Sequence, residues 1–186
     1  MPLKDAKFGD ILAFDGDGLV SNLINVVSGG NVSHTAFVIN EKKLIESTML
    51  DDSNDNGVYI KSIDEKIESY DGDVWHLSTK KPIIDIETCY AYALDLVGTP
   101  YDMVQAAMSA LDILMDNVED FNAFYCTELC GAIMKKGKTL PKRVNVSEIT
   151  PVDLCRIKLY NWHKCVKGEG VIKRFNTINV KDFNEY

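Results

Sequence analysis

The apolar residues of the chain change their spacing near residue 85, and this limits the folds open to it. Before that point they fall in short runs separated by polar turns. After it they recur with helical period. Ile11–Phe14 reads as a buried strand between the turns Gly9-Asp10 and Asp15–Gly18. His34–Ile39, Leu44–Met49 and Gly57–Ile63 are further strand candidates, with Val74–Leu77 a possible fourth. The polar Asn40–Lys43 joins the first two of these as a hairpin. Asp64–Tyr70 reads as a short helix, and Leu19–Val27 has roughly helical spacing up to Gly29-Gly30.

In the second half, Ile86, Cys89, Tyr90, Ala93, Leu94 and Val97 follow one amphipathic stripe, with Asp85 as N-cap and Gly98 and Pro100 as the stop. Val104–Met115 predicts a weaker helix. A third helix carries Cys126, Leu129, Cys130, Ile133 and Met134, and ends at Lys135-Lys136-Gly137, where cations suit the terminus. Leu159–Val166 reads as a returning strand. Strands followed by helices predict an α+β fold, a small antiparallel sheet packed on helices. The 186 residues suit one domain, with a core over about 8–170 and a C-terminal extension over 171–186.

Charge and cysteine usage narrow the function classes. A net charge of -8 disfavours nucleic acid as a partner, because its phosphates would be repelled. The charge is uneven: Lys135–Arg174 holds eleven Lys or Arg against three Asp or Glu. Either the two parts attract each other within one domain, or the basic part rims a site for an acidic substrate. No apolar run approaches the roughly 20 residues of a transmembrane segment. Met1–Asp10 lacks the apolar stretch of a signal peptide, so a cytoplasmic protein is expected. The odd count of five cysteines then argues against a disulfide framework.

One of the cysteines has a chemical setting. Cys126 opens its helix, where the terminal partial charge favours thiolate and backbone N–H groups can bind an oxyanion. A buried structural cysteine would occupy the same position. The chain has three histidines: His34, His76 and His163. His34 opens a strand and can act as base if the helix packs against it. His76 is its competitor, and packing explains His163.

Glu46, on the neighbouring strand, would fix the imidazole tautomer. The hairpin turn decides whether it can do so. If Ile39 pairs with Leu44, His34 shares a face with Ser47 and Glu46 points away. If the turn is odd, with Ile39 facing Lys43, Glu46 joins the histidine's face. Cys126 and Cys130 with a histidine could suggest a metal site, but no second cysteine pair stands at ligand spacing. No metal or cofactor is expected.

Leu96-Val97-Gly98-Thr99-Pro100-Tyr101 and Phe124-Tyr125-Cys126-Thr127-Glu128-Leu129-Cys130 resemble the Gly-x-Pro-Tyr and Cys-Ser-x-Leu signature of NlpC-type papain-fold hydrolases. In this chain the segments Ser33–Val38 and Leu44–Thr48 precede the cysteine. That order resembles the circularly permuted branch, with YiiX/YaeF-like proteins and, more distantly, lecithin:retinol acyltransferase relatives. Gly9–Leu12, Gly57-Val58 and Thr150–Leu154 also fit, so the resemblance covers roughly residues 8–155.

The resemblance implies a permuted papain-like fold, with Cys126 as nucleophile, His34 as base and Glu46 as the orienting group. It implies an oxyanion or substrate role for Tyr101. Ser33, Thr127 and Glu128 flank the two reacting residues and complete the candidate oxyanion and substrate contacts. Glu128 stands where the signature usually has Gly; the permuted branch commonly has Glu there, and a capping or wall-lining role is expected for it in this chain. The expected function is a cysteine-dependent amidase, peptidase or acyl hydrolase acting on a small-molecule, peptide or acyl-lipid substrate. A binding module holding such a ligand without turnover is the alternative. The sequence is silent on oligomeric state.

Overall fold

A computed structural model of the chain describes residues 3–16, 25, 30–49, 56–80, 82–104, 106, 121–161 and 163–173. Six strands form one antiparallel sheet: β1 (Ile11–Asp15), β2 (His34–Val38), β3 (Lys43–Thr48), β4 (Gly57–Ser62), β5 (Asp73–Leu77) and β6 (Lys164–Lys167). Their spatial order is β4-β3-β2-β1-β5-β6. Four described α-helices accompany them: α1 (Ile63–Ser69), α2 (Ile86–Asp95), α3 (Cys126–Lys136) and α4 (Pro151–Arg156). A 3₁₀ turn, Val146–Glu148, lies between α3 and α4. The α+β expectation holds, and the strands and the three helices begin and end within a few residues of the expected bounds. The returning strand is the exception, shorter and later than Leu159–Val166. Leu19–Val27 lies, but for Asn25, outside the described residues, and Val104–Met115 lies largely outside them.

Strand alternation sorts side chains onto two faces. Ile11, Ala13, Phe37, Ile45, Val58, Trp75 and Leu77 face one side, in the main core with α2, α3 and α4. Leu12, Phe14, Ala36, Val38, Leu44 and Val74 face the other, under Ile63 and Ile67 of α1. Burial of both faces explains why these strands read as apolar runs rather than alternating ones.

The helix boundaries follow from local chemistry. Asp85 caps α2 by accepting from the Thr88 N–H at 3.1 Å. Thr150 and Asp153 form a capping box with Pro151 in the first turn, which explains Thr150–Leu154 structurally. α3 is the central helix, with Cys126 to Met134 all buried.

The expected stripe on α2 is corrected. Its buried residues are Cys89, Ala93 and Leu96, while Ile86, Tyr90, Leu94 and Val97 are about 40% exposed. The small residues face α3 because the helices approach closely there. The Cys89 thiol donates to the Ile133 carbonyl at 3.1 Å, and a Cβ on Gly137 would lie 2.1 Å from the Cys89 sulfur. Larger side chains cannot fit that contact, so they turn outward.

The basic segment partly binds its own chain. Lys135 reaches the Val144 carbonyl, Lys136 lies over the Tyr92 ring, and Lys167 ties β6 to the Glu68 and Tyr70 carbonyls past α1.

Candidate active site

The hairpin between β2 and β3 sets the site. Phe37 pairs with Ile45 and Val38 with Leu44, and the Ile39 N–H donates to the Lys43 carbonyl. The Asn40 side chain accepts from the N–H groups of Lys42 and Lys43, both at 2.9 Å, and so shapes a three-residue loop. The turn is odd. Glu46 therefore lies on the face of His34, and Ser47 turns to the opposite face, where its hydroxyl donates to the Phe124 carbonyl. His34 Nε2 lies 2.7 Å from Glu46 Oε2. The carboxylate is fully buried and the imidazole 16% exposed.

The sulfur arrives from the other side of the sheet. α3 packs on the Thr35 face of β2: Thr35 Oγ1 is 3.3 Å from Thr127 Oγ1 and accepts from the Cys130 thiol at 3.8 Å. The register of the β2–β3 ladder comprises Phe37–Ile45 and Val38–Leu44. Beyond those pairs, the His34 ring and the Thr35 backbone N–H are close enough to the Cys126 sulfur to favour its ionised form. The thiol and imidazole thus meet at the start of β2, between a helix on one face and a carboxylate on the other. Glu46 occupies Nε2, which leaves Nδ1 for the thiol.

The charges reinforce one another. Burial pushes the Cys126 thiol up, but hydrogen bonding and charge from His34, with bonds from Thr35 and Thr127, bring it below the ordinary thiol value. Burial pushes His34 down, and Cys126 and Glu46 more than restore it, so it ends above the usual imidazole value. Glu46 is buried, which alone would raise it, yet His34 and Lys66 hold it far below the usual carboxylate range. The other cysteines behave oppositely. Burial raises Cys89 to about 11, and it raises Cys130 and Cys155 further.

The remaining candidates divide. Tyr101 packs with Ala106, Tyr125 and Cys126, and burial with the charge of Cys126 raises its hydroxyl. Its position is fixed by a chain of backbone contacts. Gly98 and Thr99 bond Val58 at the start of β4, and Tyr101 bridges Phe124. Gly57 has φ +148°, and a Cβ there would meet the Thr99 carbonyl at 2.4 Å, so this crossing needs glycine. Thr127 Oγ1 lies 3.7 Å from the Cys126 sulfur. Ser33 donates to the Phe14 carbonyl twice, through its N–H at 2.9 Å and through its hydroxyl at 3.4 Å. The Glu128 carboxylate accepts from the Ser147 hydroxyl, a tie between α3 and the 3₁₀ turn.

Sequence reasoning missed four residues around this centre. Lys66 and Lys61 bind Glu46. The Tyr70 hydroxyl, raised to about 12 by burial, senses the charges of Cys126 and Glu46. Tyr125 anchors the residue before the cysteine, its hydroxyl 3.0 Å from the carbonyls of Ser147 and Ile149. The one signal available was Lys66 itself, a cation amid the apolar positions of a short helix.

His76 pairs instead with Asp10 at 2.8 Å, and His163 accepts from the Ile172 N–H at 3.2 Å. Among the described residues no group of three or more His, Cys, Asp or Glu could hold a metal ion, and no helix is long and apolar enough to cross a membrane. No protein-family model matches the chain, and no curated protein matches it.

Proposed function

We propose that the chain is a cysteine-dependent acyl-transfer enzyme, a hydrolase of the circularly permuted NlpC-type papain-like class. Cys126 is the nucleophile, His34 the general base and Glu46 the group that orients the imidazole. The observation that carries this reading is the chain of contacts from sulfur to imidazole to buried carboxylate, with the sulfur at a helix N-terminus. The Cys126 thiolate attacks a substrate carbonyl and forms a thioacyl bond. His34 then passes its proton to the leaving group, and water, deprotonated by His34, resolves the intermediate. The Tyr125 N-cap gives no side-chain hydrogen bond to the first turn of α3, which suits a terminus that receives an oxyanion.

The resemblance in order and spacing of Gly98–Tyr101, Cys126 and the His34 and Glu46 strands supports the class. The substrate proposed is a small amide, a modified peptide or an acyl lipid, with no metal or cofactor taking part. Tyr101 lines the substrate side of the sulfur.

The test is an electrophile panel read by intact mass. A single acyl or alkyl adduct should form on Cys126 at neutral pH, well ahead of Cys89 and Cys155. Equal labelling of the three would refute the nucleophile assignment. Tight ligand binding without an adduct or product would favour the binding-module reading.

A further inference from the structure

Glu46 is bound by more than its histidine. Lys66 Nζ lies 2.9 Å from Oε1 and 2.8 Å from Oε2, so one ammonium grips both carboxylate oxygens. Lys61 Nζ adds a longer contact to Oε1 at 3.3 Å. Lys66 comes from α1, and its side chain is 12% exposed. Its ammonium also sits over the Phe14 ring at 5.4 Å and the Tyr70 ring at 5.7 Å. A flexible side chain is thus boxed between two aromatic faces and a buried anion.

We propose that Lys66 is a positioning residue of this site, holding Glu46 ionised and aimed at His34 through both protonation states of the imidazole. The inference rests on the reading of Cys126 and His34 as a nucleophile and its base. During acyl transfer His34 must carry a proton at one step and lack it at another. When it lacks the proton, Glu46 would be a buried anion facing a neutral ring, which is costly. Lys66 keeps the anion paired throughout. Its two contacts also fix the carboxylate plane, so that Oε2 stays directed at Nε2.

The same cation opposes charge on the imidazole. Removing it leaves the full Glu46 charge acting on His34, which favours imidazolium. Among the described residues, the other charged or titratable groups near this centre include Lys61 from β4, Cys126 from α3, Asp15 at the end of β1, the hydroxyls of Tyr70 and Tyr101, and Asp102 beside Tyr101.

The experiment is the pH profile of Cys126 alkylation by iodoacetamide, followed by mass spectrometry. In the unmodified chain the rate should rise in two steps, the upper one marking loss of the His34 proton. Lys66→Met should move that upper step to higher pH by roughly one unit. Lys66→Arg should restore it, and Lys61→Met should move it less. Should Lys66→Met fail to fold, Lys66→Gln carries the same test, because it keeps a donor and removes only the charge. An unmoved upper step in folded Lys66→Met or Lys66→Gln overturns the proposal, as does an equal shift from Lys61→Met. If Cys126 does not label preferentially in the unmodified chain, the nucleophile reading fails first; preferential labelling with an unmoved step sinks the Lys66 inference alone.

Discussion

Two histidine–carboxylate pairs sit in this sheet with nearly the same geometry and different surroundings. His34 lies 2.7 Å from Glu46, and His76 lies 2.8 Å from Asp10; both carboxylates are fully buried. Asp10 spends its oxygens on backbone. It accepts from the Thr79 N–H at 2.8 Å and the Lys7 N–H at 3.1 Å, besides the imidazole. It is a knot joining the chain before β1 to the loop after β5. Glu46 is held by side chains: besides the imidazole, its partners among the described residues are two lysines. A histidine–carboxylate contact is therefore no site in itself. The partner on the far side of the ring decides, and only His34 reaches a thiol at a helix start.

The largest test of this difference exchanges the histidines. His34→Ala should lower the rate of Cys126 alkylation at pH 6 by roughly a hundredfold or more, as the thiol reverts toward its ordinary value. His76→Ala should leave that rate within about twofold, since its ring belongs to the structural pair. Similar losses in both variants would show that the site senses general folding rather than its own base.

The converse test is on stability. Asp10→Ala strands an imidazole and the buried Thr79 N–H, and should cost about 3 kcal/mol in urea denaturation. The alkylation profile of the folded fraction should stay unchanged.

Glu46→Gln keeps the shape of the side chain and removes its charge. Thiolate at Cys126 should become harder to form, with the alkylation rate near pH 6 falling about tenfold. A rate unchanged by this substitution would separate Glu46 from the chemistry.

The smallest effect is the acid dependence of folding. The Glu46 pKa is depressed in the folded chain from an ordinary 4.5, so its contribution is full above that pH and is lost as pH falls toward the native value. Denaturation midpoints of the unmodified chain should fall below pH 4.5. Glu46→Gln should lack that portion of the loss.

Some of this was legible in residue order. The strand runs, the Asp85 cap and the helix opening at Cys126 all rest on interactions within a few residues, and short-range pattern reports them well. The fate of Glu46 was legible only as a choice between two turns. Neither apolar pattern nor charge distinguishes them, because the Asn40 side chain settles the loop by bonding two backbone N–H groups. The α2 stripe misled because apolar residues on three sides of a helix leave its rotation open. The Cys89 contact with α3, which lies 44 residues away, closes that choice.

What the sequence by itself determined was the succession of strands and helices and the short set of residues able to do chemistry. Tertiary structure alone decided that a thiol 92 residues from an imidazole meets it at the end of one strand. It also decided that Lys66 from α1 takes hold of Glu46, and that His76 falls to Asp10. Local periodicity follows from backbone geometry, which each segment carries with it. Convergence of distant polar groups follows from how two layers pack on opposite faces of one sheet, and no segment carries that information alone.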